Sequence, residues 1–170
     1  MSKEETVAPL DMDVTEDKEL VLQYEGDLLG GLLAAADYRE KEIYTVDIIR
    51  KGVKFFSFRI RPLSEEEFQT LIKRYSKYKK SRRMGGRVQD DFDRAAYRSD
   101  VIYTATVPED RKAVWGDNNG LWRKLDVLSG PQAIAKILKA GEKDRIYDRI
   151  EEISGFTDED ADNEVETAKN

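Results

Sequence analysis

Apolar and polar residues alternate between positions 43 and 61, in two runs, IYTVDII and VKFFSFRIR, rich in β-branched and aromatic side chains. With Tyr44, Val46 and Ile48 set against Phe56, Phe58 and Ile60 as one buried face, the pairs 44/60, 46/58 and 48/56 share a midpoint at Gly52. This predicts an antiparallel hairpin whose odd-numbered loop places glycine in the left-handed position. Slipping the register by one residue would bury Asp47 and Arg59, so the pairing is strongly specified. Ile49 and Phe55 fall on the opposite face and call for cover from another element. Two strands alone are marginal, so the hairpin must lean on helices.

After Pro62 the period lengthens to that of helices. Ser64 and Glu67 have the spacing of a capping box, and Phe68, Leu71, Ile72 and Tyr75 follow as a buried stripe. Asp90 or Asp91 is placed to cap a helix reaching about Val107, stopped by Pro108, with Phe92, Ala95, Ala96, Ile102, Tyr103 and Thr106 inward. Its β-branched end leaves the last turns ambiguous between helix and strand. Asn118 or Asn119 caps a short helix holding Leu121, Trp122 and Leu125, and Ser129 with Pro131 opens another. Gly141 is read as a break before a last helix carrying Ile146, Ile150 and Ile153. Gly155 and Phe156 suit a left-handed cap with an apolar residue folded back.

Upstream, GDLLGGLLAAADY sets Leu28, Leu29, Leu32, Leu33 and Ala36 close together in a segment too short and glycine-broken to be a stable helix alone. Docking on the hairpin is the preferred reading; an apolar patch offered to a partner or another copy is the alternative. The expected fold is therefore α+β, mostly α. One N-terminal antiparallel β-hairpin packs on a bundle of about five short helices, spanning 26–156 as a single domain.

Charge adds two ends to this picture. The net charge of −6 divides into about −5 in residues 1–20, about −5 in 157–170 and about +4 between them. Both acidic ends are poor in large apolar residues and are expected to be disordered, as an arm over 1–25 and a tail over 157–170. Within the basic body, residues 73–87 carry Lys73, Arg74, Lys77, Lys79, Lys80, Arg82, Arg83 and Arg87 and no acid. Such a segment suits phosphate contact, an acidic protein surface or the protein's own tails. It equally suits a solvated helix end running into a Gly-Gly loop. The overall acidity weighs against a dedicated nucleic-acid binder.

The chain has no cysteine and no histidine. That removes thiol nucleophiles, thiolate or imidazole metal sites and the usual neutral-pH base. No phosphate loop, dinucleotide fingerprint or nucleophile elbow occurs. No catalytic, metal or cofactor-binding residue is therefore assigned, and a non-enzymatic protein without a cofactor is expected. No apolar run approaches the roughly 20 residues that cross a bilayer, and the first residues lack a secretory pattern, so a cytoplasmic protein is expected. Leu28, Leu29, Leu32, Leu33, Trp115 and Trp122 are the candidate partner contacts, being apolar residues without an obvious local core.

A short LLG element (residues 28–30) precedes FRIRPLSEEEF (58–68), a lysine- and arginine-rich stretch and DFDRAAY (91–97). Then come VIYTATV and LSGPQAIAKILKAGEKDRIYDRIEEISGF (128–156), covering in all about residues 28–158. In this order the motifs resemble those of the XkdN-like phage tail assembly chaperones. The resemblance implies a small, mostly helical protein of the bacterial host cytoplasm, absent from the finished virion. Its implied client is the tape measure protein, held soluble while the tail tube polymerises; the tube protein and further copies of the chain are secondary partners. No single residue's role is carried over.

Overall fold

The computed structural model describes residues 24–156. Its helices are α1 (Leu28–Lys41), α2 (Glu65–Tyr75), α3 (Arg94–Ala105), α4 (Pro108–Val114), α5 (Leu121–Leu125), α6 (Gly130–Ile137) and α7 (Ala140–Ile153), with a 3-10 turn at Asn118–Gly120. Strands β1 (Tyr44–Arg50) and β2 (Val53–Ile60) form one antiparallel hairpin, and β3 (Ser76–Ser81) and β4 (Gly86–Phe92) a second. The described residues are thus mixed α and β, with seven α-helices where about five were expected and two hairpins where one was expected. The chain divides into two units, Met1–Lys41 and Glu42–Asn170, so residues 26–41 fall with the first. The expected disorder of the acidic ends lies almost wholly outside the described residues.

The β1–β2 register is the one its alternation specifies: Tyr44 pairs with Ile60, Val46 with Phe58 and Ile48 with Phe56. Ile48, Phe58 and Ile60 are buried, whereas Asp47 and Arg59 face outward. The turn departs from expectation. The register shifts between Ile48 and Ile49, so that Ile49 meets Lys54 and Arg50 meets Val53. This leaves a two-residue turn, Lys51–Gly52, with φ of 50° and 76°. Positive φ at both central residues matches the strand twist, and the bulge absorbs the extra residue. Ile49 and Phe55 are exposed at this end.

A third strand-like rung completes the sheet face. Helix α3 ends at Ala105, and Thr106 then bridges Ile60, with Arg61 N–H donating to Ala105 O (2.9 Å) and Val107 N–H to Arg59 O (3.0 Å). The β-branched run expected to be ambiguous is helix up to Ala105 and extended after it. Behind this face lie Leu71 of α2, Val101, Ile102 and Ala105 of α3, Ile134 of α6 and Ile150 of α7. Helix α3 packs on α2, α6 and α7.

Local chemistry explains most boundaries. Ser64 Oγ accepts from Glu67 N–H while Glu67 Oε2 accepts from Ser64 N–H (2.9 Å), completing the capping box. Gly155 has φ of +85°, letting Phe156 N–H reach Glu151 O and its ring pack edge-on against Phe68 at 5.3 Å. Three expectations are corrected. Asp93, not Asp90 or Asp91, caps α3, because 90–92 belong to β4; the buried face shifts accordingly to Tyr97, Val101, Ile102 and Ala105, and Ala95 is exposed. Asp117, not Asn118 or Asn119, accepts the Trp122 N–H at the start of α5. Gly141 lies inside the first turn of α7, and the break comes at Leu138 and Lys139, both extended.

Candidate partner-binding surfaces

Helix α1 begins where the Asp27 carboxylate accepts from Gly30 N–H at 2.9 Å. A side chain at Gly30 would collide with that carboxylate, 2.0 Å from the Cβ position, so the glycine makes room for its own cap. From there Leu28, Leu29, Leu32 and Leu33 recur at four-residue spacing in two adjacent rows, giving one apolar stripe. All four are at least 60% exposed. The helix therefore presents an exposed apolar stripe.

The tryptophans are placed differently. Trp115 closes α4 and is wholly buried, its ring edge-on to Phe58 (5.1 Å) and Phe56 (5.7 Å) and its Nε1–H donating to Thr106 Oγ1 at 3.2 Å. It is a core residue with no ring face left for a partner, which corrects its place among the contacts. The connector around it looked poor in apolar neighbours because those neighbours come from β2, about 60 residues earlier. Trp122 is half-buried, and its Nε1–H donates to Trp115 O at 2.9 Å.

Of residues 73–87, read as a phosphate-contacting segment or as a helix end and loop, 73–75 close α2 and 76–87 enter the second hairpin. Helix α2 stops when Ser76 turns extended and its Oγ–H donates to Ile72 O. Ser81 and Gly86 then close a loop in which Gly85 takes φ of +65°. The sequence signal for the hairpin is that Gly-Gly pair set between two polar runs. Apart from its ends, every residue of β3 and β4 is exposed, so the ribbon shows both faces to solvent. Lys77 reaches Asp91 at 3.9 Å. Among the described residues, Lys79, Lys80, Arg82, Arg83 and Arg87 have no carboxylate partner.

Several arginines of the body contrast with these. Arg50 holds Glu142 with two hydrogen bonds (2.7 and 2.8 Å) and also donates to Ile137 O. Arg59 pairs with Asp110, Arg61 with Glu67 and Arg98 with Asp144. At the root of the ribbon, Arg74 Nη1–H and Tyr75 O–H both donate to the buried Asp100, at 2.6 and 2.8 Å. Burial, reinforced by that carboxylate, pushes the Tyr75 phenol up to about 12. Beside the root, Ile72, Phe92, Tyr97 and Tyr147 line a groove of about 330 Å³ with Arg94 and Arg98 on its walls. Lys73 and Arg74 thus belong to α2, and only the later cations lie on the ribbon.

A family model that describes the phage XkdN-like tail assembly chaperone proteins matches residues 29–169. Neither a curated protein nor a solved structure matches the chain. No helix among the described residues is long and apolar enough to cross a membrane. With a match over so much of its length, the chain belongs to the XkdN-like family of phage tail assembly chaperones.

Proposed function

We propose that this tail assembly chaperone binds the tape measure protein and keeps it soluble while the tail tube forms, without catalysing a reaction. The leucine stripe of α1 is the observation that carries this reading. Four neighbouring leucines at least 60% exposed are a costly feature unless a partner covers them. Burying such side chains is worth about 1.5–3 kcal/mol each, enough for a reversible grip that several copies along a long client would multiply. Trp122, a half-buried ring of the other unit, is a separate candidate contact. The chaperone acts in the host cytoplasm and is left out of the finished particle; the tube protein and other copies of the chain are its secondary partners.

Replacing Leu28, Leu29, Leu32 and Leu33 with serine and co-expressing the variant with the tape measure protein tests the reading. Loss of co-purification with an unchanged circular dichroism spectrum is expected. A variant that still captures the client removes α1 from the contact surface. The second reading, a nucleic-acid adaptor, is favoured by one observation: a two-stranded basic ribbon has the width that a DNA major groove admits. Titration with duplex DNA at rising salt separates the two, since phosphate-driven binding weakens steeply with salt.

A further inference from the structure

The ribbon β3–β4 is electrostatically incomplete. In its register Lys80 sits directly opposite Arg87, a like-charge cross-strand pair that destabilises a hairpin. Two-stranded hairpins are already marginal in water. Lysines on free strand edges discourage pairing with other chains, yet that accounts neither for Arg82 and Arg83 in the loop nor for the opposed pair. Elsewhere in the body, Arg50, Arg59, Arg61, Arg74 and Arg98 each have a carboxylate, whereas Arg94, Arg111, Arg123 and Arg145 have none among the described residues. The ribbon gathers five such cations on one small hairpin, two of them directly opposed.

Its missing anions are available in the same chain. We propose that the acidic segment 158–166 lies along the ribbon β3–β4 of its own molecule, neutralising Lys79, Lys80, Arg82, Arg83 and Arg87. The segment carries Asp158, Glu159, Asp160, Asp162, Glu164 and Glu166 and no cation. It follows Phe156, whose ring packs on Phe68 near the start of α2. That helix leads straight into β3, and its 11 residues span about 16 Å. Ten residues beyond Phe156 reach up to about 33–36 Å when extended, so the acids cover the distance from helix start to ribbon. Tethering gives them an effective concentration in the millimolar range, well above that of a free competitor. Covered in this way, the ribbon is kept from host nucleic acid.

The absence of cysteine permits a single spin label at Ala161→Cys in the full chain. Amide signals of residues 77–91 should broaden selectively at low salt. The effect should fall at least fivefold near 1 M salt, where the screening length is about 3 Å, and in the fivefold variant K79Q/K80Q/R82Q/R83Q/R87Q. Broadening spread over the whole surface, or absent from the ribbon, overturns the proposal. So does broadening that appears only in an unlabelled isotope-enriched copy mixed with labelled chain, which would place the segment on a neighbour. A second arm uses a fluorescent DNA duplex. Changing the six acids of 158–166 to amides should tighten DNA binding at least tenfold. The equal change in net charge made at Glu4, Glu5, Asp11, Asp13, Glu16 and Asp17 should leave it nearly unaltered. Equal effects of the two variants, or tight DNA binding by the unaltered chain, would assign the ribbon to nucleic acid.

Discussion

The indole of Trp115 touches both phenylalanines of β2 while its N–H is tied to Thr106, so one side chain joins the sheet face to the connector after α3. Trp115→Ala should lower the free energy of unfolding by about 3–5 kcal/mol, the range for emptying a buried aromatic site. Urea denaturation followed by circular dichroism measures it. The half-buried Trp122 should cost clearly less in the same assay. Glu142 is the second such residue. Its carboxylate accepts from the Arg50 guanidinium and from Lys139 N–H (2.7 Å), so it anchors β1 and caps α7 together. The Arg50 hydrogen bonds, with the Lys139 amide, hold its carboxyl down at about 2 against an ordinary 4.5. A depressed carboxyl contributes fully above its unfolded value and loses that contribution as pH falls through its folded value. Stability should therefore drop between pH 4.5 and 2. Glu142→Gln should lower stability at pH 7 by about 2–3 kcal/mol and flatten the acid limb, read from thermal midpoints against pH.

Among the elements, α3 and α6 meet at Gly130. A methyl group there would sit 2.2 Å from the Tyr103 ring, which also lies beneath the Arg111 guanidinium at 5.6 Å. Gly130→Ala forces that ring or the helix to move, at about 1–3 kcal/mol. Removing the ring as well, in a Gly130→Ala/Tyr103→Leu pair, should recover part of the loss in a double-mutant cycle. Glycine at this spot could be read from sequence only as part of a helix start, since the ring it faces lies 27 positions earlier in the chain. Elements governed by local chemistry were legible in that way: the β1–β2 register, the Ser64 box, the Ser129 cap, the Gly155–Phe156 closure. Those decided by distant partners were not. Trp115 looked unpartnered because β2 supplies its contacts, and the ribbon looked like a helix end because lysine and arginine carry almost no strand preference. The α3 boundary followed from that second error, once Asp90 and Asp91 were assigned to a cap.

At the scale of the whole molecule, the exposed leucines belong to the unit that ends at Lys41, and the basic ribbon to the unit that begins at Glu42. The four-serine variant of α1 should therefore abolish client capture while the urea midpoint of the body stays within experimental error of the parent. A large fall in that midpoint would make the leucines part of the stabilising core. The candidate surface itself was only half visible beforehand. The leucines could be named from their spacing, but their exposure could not, because neighbouring side chains on a helix do not reveal what lies across from them.

The two ends of the ribbon meet: Asp93 N–H donates to Tyr75 O at 3.2 Å, and Arg74 and Tyr75 are clasped to Asp100 of α3. Everything between those anchors is an excursion that returns to where it left. Shortening, lengthening or exchanging that loop should leave the remainder of the architecture undisturbed, provided Phe92 keeps its place against Tyr97. Selection is thus free to alter this appendage without renegotiating the rest of the molecule.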